Sequence, residues 1–360
     1  MSAHPYTPRS IVERFESAQN SLVLQSSDLS LETIANMTES GAIDTHPKYQ
    51  RRERWTQEAE SALIESFLLN VPVPPVYLAE ENFGTYSVID GKQRLTAIQR
   101  YLKGKFALSK LEKYKEVESL KFNELPPALQ NALAIRPYLR VVTLLKQTDP
   151  ELKYEVFTRL NTGGQPLLPQ EIRNALYRGP LNDLLFNLSE NEFLRQQLKI
   201  KNQKESSYTE MADVEMTLRF FTLSEEWKTF SGHYRRSMDS FMKNNVDAKA
   251  SSLEAMEKKF SLAISRCEKL WGEDAFKRYS SGAIREQFLA AVYDSQMLAA
   301  SELSSQQYKL LLSKRVLLKK RTAALFDDPV FEQAVRVNTN TPSKVFTRVD
   351  RMAKMLKAIA

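Results

Sequence analysis

The pattern of apolar and polar residues is most informative around residues 86–102. Val88 and Ile89 are adjacent β-formers with no breaker between them, which is typical of a strand. Asp90-Gly91 follows as a turn dipeptide. Three apolar residues then recur at the spacing of one helical face: Leu95, Ile98 and Leu102. The pattern predicts a strand, a tight turn and a helix that begins at Gly91.

Similar patterns predict the neighbouring elements. Short apolar runs indicate strands at 76–79, 86–89 and 139–145, and the first two are expected to form a hairpin. Helices are expected after Ser30, through Leu31, Ile34 and Met37, and after Thr56, which is a plausible N-cap before an apolar stripe at helical spacing. These elements predict a small mixed α and β core.

Three further segments complete the predicted organisation. Residues 1–27 are interpreted as an N-terminal arm with one short helix, and the lysine-rich stretch 103–127 as a surface insertion. From residue 181 onward the pattern is helical almost throughout and strand patterns disappear. Gly179-Pro180 is a natural boundary, so the expected domains are 28–180 and 181–360. The predicted fold class is α+β, a small mixed-sheet core followed by a mostly α-helical domain.

Composition narrows the class of protein. The chain has 360 residues, 42% apolar and 26% charged, which is typical of a globular protein with about two domains. No apolar run approaches the ~20 residues of a membrane span, and the start of the chain lacks a signal-peptide layout, so a cytoplasmic location is expected. One cysteine and three scattered histidines argue against an internal disulfide and against a cysteine- or histidine-built metal centre.

The charge balance favours a polyanionic partner. The chain carries 51 Lys and Arg against 44 Asp and Glu, a net charge of +7. The excess is concentrated in a run of five cations within two helical turns: Lys314, Arg315, Lys319, Lys320 and Arg321. Contact with DNA phosphates and an ordinary solvated helix face are both open interpretations of this run.

The predicted helix start at Gly91 is a candidate anion site. A helix N-terminus presents unpaired backbone N–H groups and the positive end of the helix dipole, and Gly91 would let an anion approach the backbone closely. Lys92 and Arg94 add positive charge. An ordinary Asp-Gly turn at a solvated helix start gives the same local pattern and remains the alternative.

A second candidate loop follows a predicted helix that begins near residue 150. It has the sequence Asn161-Thr162-Gly163-Gly164, and two adjacent glycines permit positive φ angles. Such a loop can bring N–H groups together around an anion, or it can simply end a helix. Both interpretations stay open.

Several motifs in sequence order resemble a known family. They are Tyr49-Gln50-Arg51 with Trp55, the proline-rich 70–75, 89–97 with Asp90-Gly91-Lys92-Gln93-Arg94, 157–164, and 171–174. Together they resemble the N-terminal domain of GmrSD-type restriction endonucleases, also known as domain of unknown function 262. Farther along the chain, 275–279 and 338–348 are similar to the helical C-terminal half of that family. Lys92 departs from the glutamine usual at that position.

The resemblance implies a fold and an activity. It implies a ParB-like core whose phosphate-binding helix start corresponds to Gly91, Arg94 and Ala97. Members of this kind bind or hydrolyse nucleoside triphosphates and act in modification-dependent restriction of phage DNA. In many of them an HNH nuclease lies in a second domain or subunit. None of the three histidines here has a suitable neighbourhood for an HNH nuclease. If DNA is cut, the cutting is expected from a partner, such as a separate HNH nuclease subunit, or from a site that the sequence does not reveal.

The resulting hypothesis is a nucleotide-binding and hydrolysing sensor or regulatory subunit of a restriction system. Lys92 and Arg94 would neutralise phosphate oxygens, while Asp90 would bind Mg²⁺ or orient water. With Gln93, Asp90 and Arg94 are the candidate catalytic residues. The remaining candidate nucleotide contacts are Gln50, Arg51, Gly91, Arg159, Asn161 and Gly163. The base, in GTP, CTP or UTP, is left open.

Purely structural roles for these residues, and other functions for the chain, remain alternatives. Asp90 is equally a turn residue, and Arg51 and Arg159 are equally structural ion-pair partners. A nucleotide-gated DNA-binding protein without turnover and a ParB-like nuclease are the competing functions. The nuclease would need an acidic metal cluster, and spacing alone does not assemble one.

Overall fold

A computed structural model describes residues 12–16, 23–45, 55–148, 150–160, 168–202, 205–280 and 283–360, together with Thr7 and Arg9. The chain divides into two compact units, Met1–Leu176 and Tyr177–Ala360.

From residue 24 onward, the described part of the first unit contains five strands and six α-helices. In chain order these are β1 (Leu24–Ser30), α1 (Leu31–Glu39), β2 (Ile43–Asp44), α2 (Gln57–Leu68), β3 (Val76–Asn82), β4 (Thr85–Asp90), α3 (Lys92–Leu102), α4 (Pro127–Ile135), β5 (Tyr138–Leu144), α5 (Pro150–Leu160) and α6 (Pro169–Leu176). The predicted cap of α2 is confirmed, because the hydroxyl of Thr56 accepts a hydrogen bond from the backbone N–H of Ala59. Ser30 caps α1 in the same way, through the backbone N–H of Thr33.

The strands form one mixed sheet in the order β1-β5-β3-β4-β2. β3 and β4 pair antiparallel, which confirms the predicted hairpin, and β5 joins β3 in parallel. At the two edges, β1 is antiparallel to β5 and β2 is parallel to β4. The order places β4, the strand that leads to Gly91, between β3 and the short edge strand β2.

Helices or loops cover both faces of this sheet with apolar side chains. The larger cluster joins β3 and β4 to α1, α2 and α3, and includes Leu78, Val88 and Ile98. A smaller cluster on other strand residues, including Ile89, packs against Ile172 of α6. Because successive strand residues point to opposite faces, Val88 packs in the larger cluster on one face and Ile89 in the smaller cluster on the other.

The interpretation of residues 103–127 as a surface insertion is wrong. Five of its apolar side chains are buried in the larger cluster: Phe106, Leu108, Leu111, Val117 and Leu125. The buried carboxylate of Glu65 on α2 accepts hydrogen bonds from the backbone N–H groups of residues 112–114 at 2.7–3.1 Å. Burial raises the pKa of this carboxyl, but the three N–H donors together lower the pKa by more than burial raises it. The pKa therefore lies below its usual range. The lysines stand on a segment that is tied to the core.

A second difference concerns the start of the chain. Strand β1 runs across the expected boundary between an arm and a first domain at residues 27 and 28, and it pairs with β5 along its whole length. The sequence Gln25-Ser26-Ser27-Asp28 has no apolar alternation that would reveal a strand.

The described part of the second unit is mostly helical, as predicted. Its elements are α7 (Pro180–Ser189), α8 (Glu192–Gln197), α9 (Ser206–Thr209), α10 (Ala212–Glu226), α11 (Tyr234–Asn245), α12 (Ala250–Trp271), β6 (Lys277–Ser280), β7 (Ala283–Phe288), α13 (Ala290–Ser301), α14 (Ser305–Ser313), α15 (Arg315–Asp327), α16 (Pro329–Arg336) and α17 (Pro342–Ile359). The expectation that strands disappear here is corrected by β6 and β7, which form an antiparallel hairpin.

A buried charged cluster lies in the core of this unit. The carboxylate of Asp294 on α13 accepts hydrogen bonds from the guanidinium of Arg219 at 2.7 and 2.8 Å and from Arg348 Nη2 at 2.5 Å. The hydroxyl of Tyr234 donates to the same carboxylate and accepts from Arg348. All four residues are buried, so the cluster links α10, α11, α13 and α17 inside the core.

Candidate functional site

Strand β4 delivers the chain directly into the start of α3. Asp90 is the last residue of the strand and Gly91 caps the helix with φ 96°. A Cβ at position 91 would lie 2.6 Å from Val76 Cγ2, and L side chains rarely adopt this backbone conformation. Backbone angle and close approach therefore both require glycine, as the turn dipeptide predicted.

No nearby negative charge on the helix itself offsets the positive potential at the start of α3. Among the described residues no side chain caps it, and its first turn holds no acidic residue. The first backbone N–H groups of a helix have no partner within the helix, and the helix dipole adds partial positive charge there. Lys92, half-buried, begins the helix. This geometry suits a bound anion.

Arg94 and Asp90 form an ion pair across this helix start. Arg94 Nη2 donates to Asp90 Oδ2 at 2.5 Å, and Arg94 Nη1 donates to the carbonyl oxygen of Pro74 at 3.2 Å. The side chain of Arg94 is 13% exposed and that of Asp90 is 40% exposed. The guanidinium is thus fixed at two points, while the carboxylate stays accessible to solvent.

Gln93 connects the helix start to the segment before α2. Its side-chain Oε1 accepts a hydrogen bond from the backbone N–H of Trp55 at 3.3 Å. Gln50 and Arg51, the predicted contacts from that segment, lie outside the described residues. The structure therefore assigns a positioning contact to Gln93 and leaves the role of the other two as a prediction.

Of the three predicted nucleotide contacts at the end of α5 and just after it, the structure describes one, Arg159. Arg159 pairs with Glu155 one helical turn earlier, at 2.7 Å, and its side chain is 78% exposed. This is the structural ion pair that was the alternative for Arg159. Asn161 and Gly163 lie outside the described residues.

Sequence reasoning assigned no role to a buried polar group on α6. Four of its side chains are almost completely buried: Gln170, Glu171, Arg173 and Asn174. Gln170 donates to Asn174 at 2.9 Å and accepts from Arg173 at 3.2 Å, and Glu171 accepts from the Leu168 N–H at 2.8 Å. Two charged residues buried on one eight-residue helix are unusual. The signal in the sequence was the polar run Gln-Glu-Ile-Arg-Asn directly after Pro169.

Asp90 is the candidate metal ligand of this site. The described residues contain no group of three or more His, Cys, Asp and Glu side chains placed to hold a metal ion. A bound Mg²⁺ at a phosphate site commonly uses one or two carboxylates together with phosphate oxygens and water. Asp90 offers one such carboxylate beside a helix start that suits phosphate.

The basic run in the second unit is partly neutralised. Lys314 donates to the Ile359 carbonyl oxygen, Arg315 to that of Leu270, and Lys319 to the Asp274 carboxylate. Lys320 and Arg321 are exposed, and within the described chain neither has a hydrogen-bond or ion-pair partner. Four of the five are exposed and Lys319 is half-buried, so the run separates by partner: three cations bind protein oxygens, and Lys320 and Arg321 bind none in the described chain.

Comparison with known proteins gives a family for the first unit. Residues 31–178 match the family model of the GmrSD restriction endonuclease, N-terminal domain. No curated protein and no solved structure matches the chain. Within the described ranges, no helix combines the length and apolar character needed to cross a membrane. The family description associates the domain with restriction endonucleases and hence with DNA. The match to residues 31–178 confirms the resemblance to the GmrSD N-terminal domain that the sequence motifs indicated.

Proposed function

We propose that the chain is a nucleoside triphosphate-binding subunit of a restriction system, with its nucleotide site at the start of α3. The observation that carries the proposal is the start of α3 at Gly91, where the N-cap residue has no side chain and Arg94 is held beside it by Asp90 and Pro74.

Each residue of this helix start has a distinct task. The backbone N–H groups after Gly91 donate to phosphate oxygens, and Lys92 contributes positive charge. Arg94 neutralises a further phosphate oxygen, and its existing bonds to Asp90 and Pro74 reduce the entropy lost on binding. Asp90 binds Mg²⁺ through its solvent-accessible carboxylate, because Mg²⁺ prefers oxygen ligands.

Turnover and nucleotide choice involve the neighbouring segment. Gln93 is the candidate that orients an attacking water or holds the segment that does so, and its bond to Trp55 supports the second role. Gln50 and Arg51 precede Trp55 closely in the sequence, so we propose that they reach the same nucleotide. Asn161 and Gly163 are proposed contacts from a second loop. The nucleotide is GTP, CTP or UTP.

The nucleotide site would regulate action on DNA. We propose that nucleotide binding or hydrolysis reports recognition of DNA, including modified phage DNA, to a separate HNH nuclease subunit. Lys320 and Arg321 specifically favour direct DNA contact by this chain, since both are exposed cations available to phosphates. The second candidate function is a nucleotide-gated DNA-binding protein without turnover. The same two features support it: the helix start at Gly91 and the exposed cations Lys320 and Arg321.

The proposal is tested by calorimetry of the full chain with GTP, CTP and UTP in the presence of Mg²⁺. Arg94→Ala should weaken binding of the preferred nucleotide by at least about tenfold, since a charge-assisted hydrogen bond contributes ~1.5–3 kcal/mol. Arg140→Ala is the matched control, because Arg140 also pairs with an aspartate, Asp28, in the same unit, but both of these side chains are exposed. Equal affinity of wild type and Arg94→Ala would remove the helix start from the nucleotide site.

A further inference from the structure

The tip of the β3–β4 hairpin carries an exposed aromatic side chain. Phe83 lies in the turn between the two strands and is 83% exposed, although phenylalanine is among the residues that are most often buried. Strand β3 pairs with β5 only as far as Ala79, and β4 pairs with β2 at residues 86 and 87. The tip, residues 82–85, therefore projects beyond both neighbouring strands.

Hydrogen bonds within the tip fix its conformation before any ligand binds. The backbone N–H of Asn82 donates to Thr85 Oγ1 at 3.2 Å, and the Thr85 hydroxyl donates back to the Asn82 carbonyl oxygen at 3.3 Å. Gly84 turns the chain with φ 79°, and among the described residues nothing lies within 4 Å of a Cβ added there. A ring presented on such a turn loses little conformational entropy when a ligand binds.

Two lysines lie beside the tip. Lys146 Nζ lies over the Phe83 ring, 5.8 Å from its centroid, and donates to Asn82 Oδ1 at 3.3 Å. Lys153 Nζ donates to the carbonyl oxygen of Glu80, two residues before Asn82, at 3.4 Å. Both ammonium groups thus bind uncharged oxygen atoms, and within the described chain neither has an ion-pair partner.

The carboxylates of β3 beside the tip have hydrogen-bond partners of their own. Glu80 is buried and accepts from the backbone N–H of Lys146 at 3.2 Å, and Glu81 accepts from Ser87 Oγ at 2.5 Å. These two carboxylates offset charge near the lysines but form no ion pair with either ammonium group. A phosphate that binds Lys146 would therefore replace a hydrogen bond to a neutral oxygen with a charge-assisted one, which is stronger.

We propose that an unpaired base of DNA stacks on Phe83 and that Lys146 and Lys153 bind the adjoining phosphates. Proteins commonly hold single-stranded nucleic acid with aromatic rings beside cations, because each base has a π face and each linkage carries a negative charge. The exposed ring supplies the stacking surface, and the two ammonium groups supply the cations.

The surroundings of the ring favour DNA over a protein partner. A protein interface has an apolar centre, whereas the other three residues of the tip are two polar residues and a glycine. The inference rests on DNA being a partner of this chain, as proposed above, but not on the nucleotide site. Phe83 and Gly91 lie at opposite ends of β4, a strand that spans roughly 17 Å from residue 85 to residue 90.

The test measures binding of three fluorescent ligands to the full chain by anisotropy: a DNA single strand, the same strand with abasic sites in place of its bases, and the duplex. Phe83→Ala should weaken binding of the single strand about fivefold or more, the usual contribution of one base–aromatic stack. It should change the affinity for the abasic strand, which has phosphates but no bases, by less than about twofold. The duplex should lose less than the single strand, because its bases are already stacked.

Two variants separate stacking from other effects of the substitution. Phe83→Tyr keeps an aromatic ring and should restore the affinity for the single strand. Tyr138→Ala is the matched control, because Tyr138 is an aromatic residue of the same unit that is 63% exposed but lies at the end of β5 away from Lys146. It should leave the affinity for the single strand within about twofold. Lys146→Ala should weaken binding of the ordinary and the abasic strand alike and flatten the salt slope by about 0.7, for one phosphate contact.

Several results would overturn the proposal. Equal affinity of wild type and Phe83→Ala for the single strand would do so and would leave a protein partner to explain the exposed ring. An equal loss on the abasic strand, or in Tyr138→Ala, would exclude stacking on Phe83. If replacement of Lys320 and Arg321 weakens DNA binding while Phe83→Ala does not, only this inference fails. If the wild type binds none of the three ligands, the DNA contact proposed above fails with it.

Discussion

Two aspartate–arginine clusters in this molecule use the same chemical groups in opposite environments. Asp90 and Arg94 pair at the start of α3, with side chains 40% and 13% exposed. Asp294 binds Arg219 and Arg348 in the core of the second unit, where the side chains of Asp294 and Arg348 are 0% exposed. The first pair can exchange partners with a ligand from solvent. The second is closed to ligands and holds helices together.

Burial decides what each carboxylate does. Burial raises the pKa of Asp294, but the guanidiniums of Arg219 and Arg348 lower it more, so its pKa lies below the usual range and the group remains ionised. The hydroxyl of Tyr234 in the same cluster has its pKa raised, chiefly by burial, and stays neutral. Asp90 instead keeps water access, which a metal-binding carboxylate at a nucleotide site needs.

The largest expected effect comes from breaking the buried cluster. Asp294→Asn leaves two guanidiniums without their carboxylate and should lower the free energy of unfolding by ~3–5 kcal/mol. Urea denaturation of the full chain, followed by circular dichroism, measures the change. Asp28→Asn is the control, because it breaks an exposed pair with Arg140 and should change the stability little. Equal stability of wild type and Asp294→Asn would show that the cluster is not structural.

A smaller effect is expected from the glycine that positions the exposed pair. Gly91→Ala forces a side chain into φ 96° and against Val76, and backbone strain of this kind costs ~1–3 kcal/mol. Gly84→Ala is a matched control, since Gly84 has φ 79° but nothing within 4 Å of an added Cβ. The stability difference between the two variants measures the contact with Val76. Identical losses would mean that only the backbone angle matters at position 91.

A third carboxylate, Glu65, shows what hydrogen bonds alone contribute to a buried carboxylate that has no ion-pair partner within hydrogen-bond distance in the described chain. It is buried like Asp294 but binds three backbone N–H groups, and Glu65→Gln should cost ~1–3 kcal/mol at neutral pH. Its pKa is lowered from 4.5 in the folded state, so its stabilisation is present above that pH and is lost as pH falls through the folded value. Urea titrations between neutral pH and pH 3 should show a steeper loss for wild type than for Glu65→Gln. Parallel pH profiles would contradict this account.

The smallest effect on stability, with a clear effect on binding, is expected at the basic run. Replacing Lys320 and Arg321 with serine should leave the fold intact and flatten the slope of log affinity for duplex DNA against log salt by about 1.8, for two phosphate contacts. Replacing Lys314 and Lys319 instead should change the slope less, since both already have protein partners. Titration of a fluorescent duplex at several salt concentrations measures which pair of cations contributes more to the salt dependence of DNA binding. An unchanged slope in the first variant would leave these cations as a solvated face.

Local patterns in the sequence predicted the helix start but not the buried cluster. The strand, the glycine turn and α3 follow from adjacent residues, and Asp90 with Arg94 lies within one helical turn. Asp294 meets partners 75 and 54 residues away in sequence, and no spacing rule joins them. Strand β1 was missed for the same reason, because its pairing with β5 spans more than a hundred residues. The lysines of 103–127 suggested a surface, whereas Glu65 fixes that segment through backbone groups that carry no sequence signal.

The central claim concerns where the phosphates of a nucleotide bind, and hydrogen–deuterium exchange tests it most directly. The exchange rates of backbone amides in the full chain are compared with and without the preferred triphosphate and Mg²⁺. The account predicts slower exchange of the amides of residues 91–95, because phosphate oxygens would accept hydrogen bonds from the first turn of α3. Unchanged exchange at residues 91–95, with protection appearing only elsewhere in the chain, would contradict it.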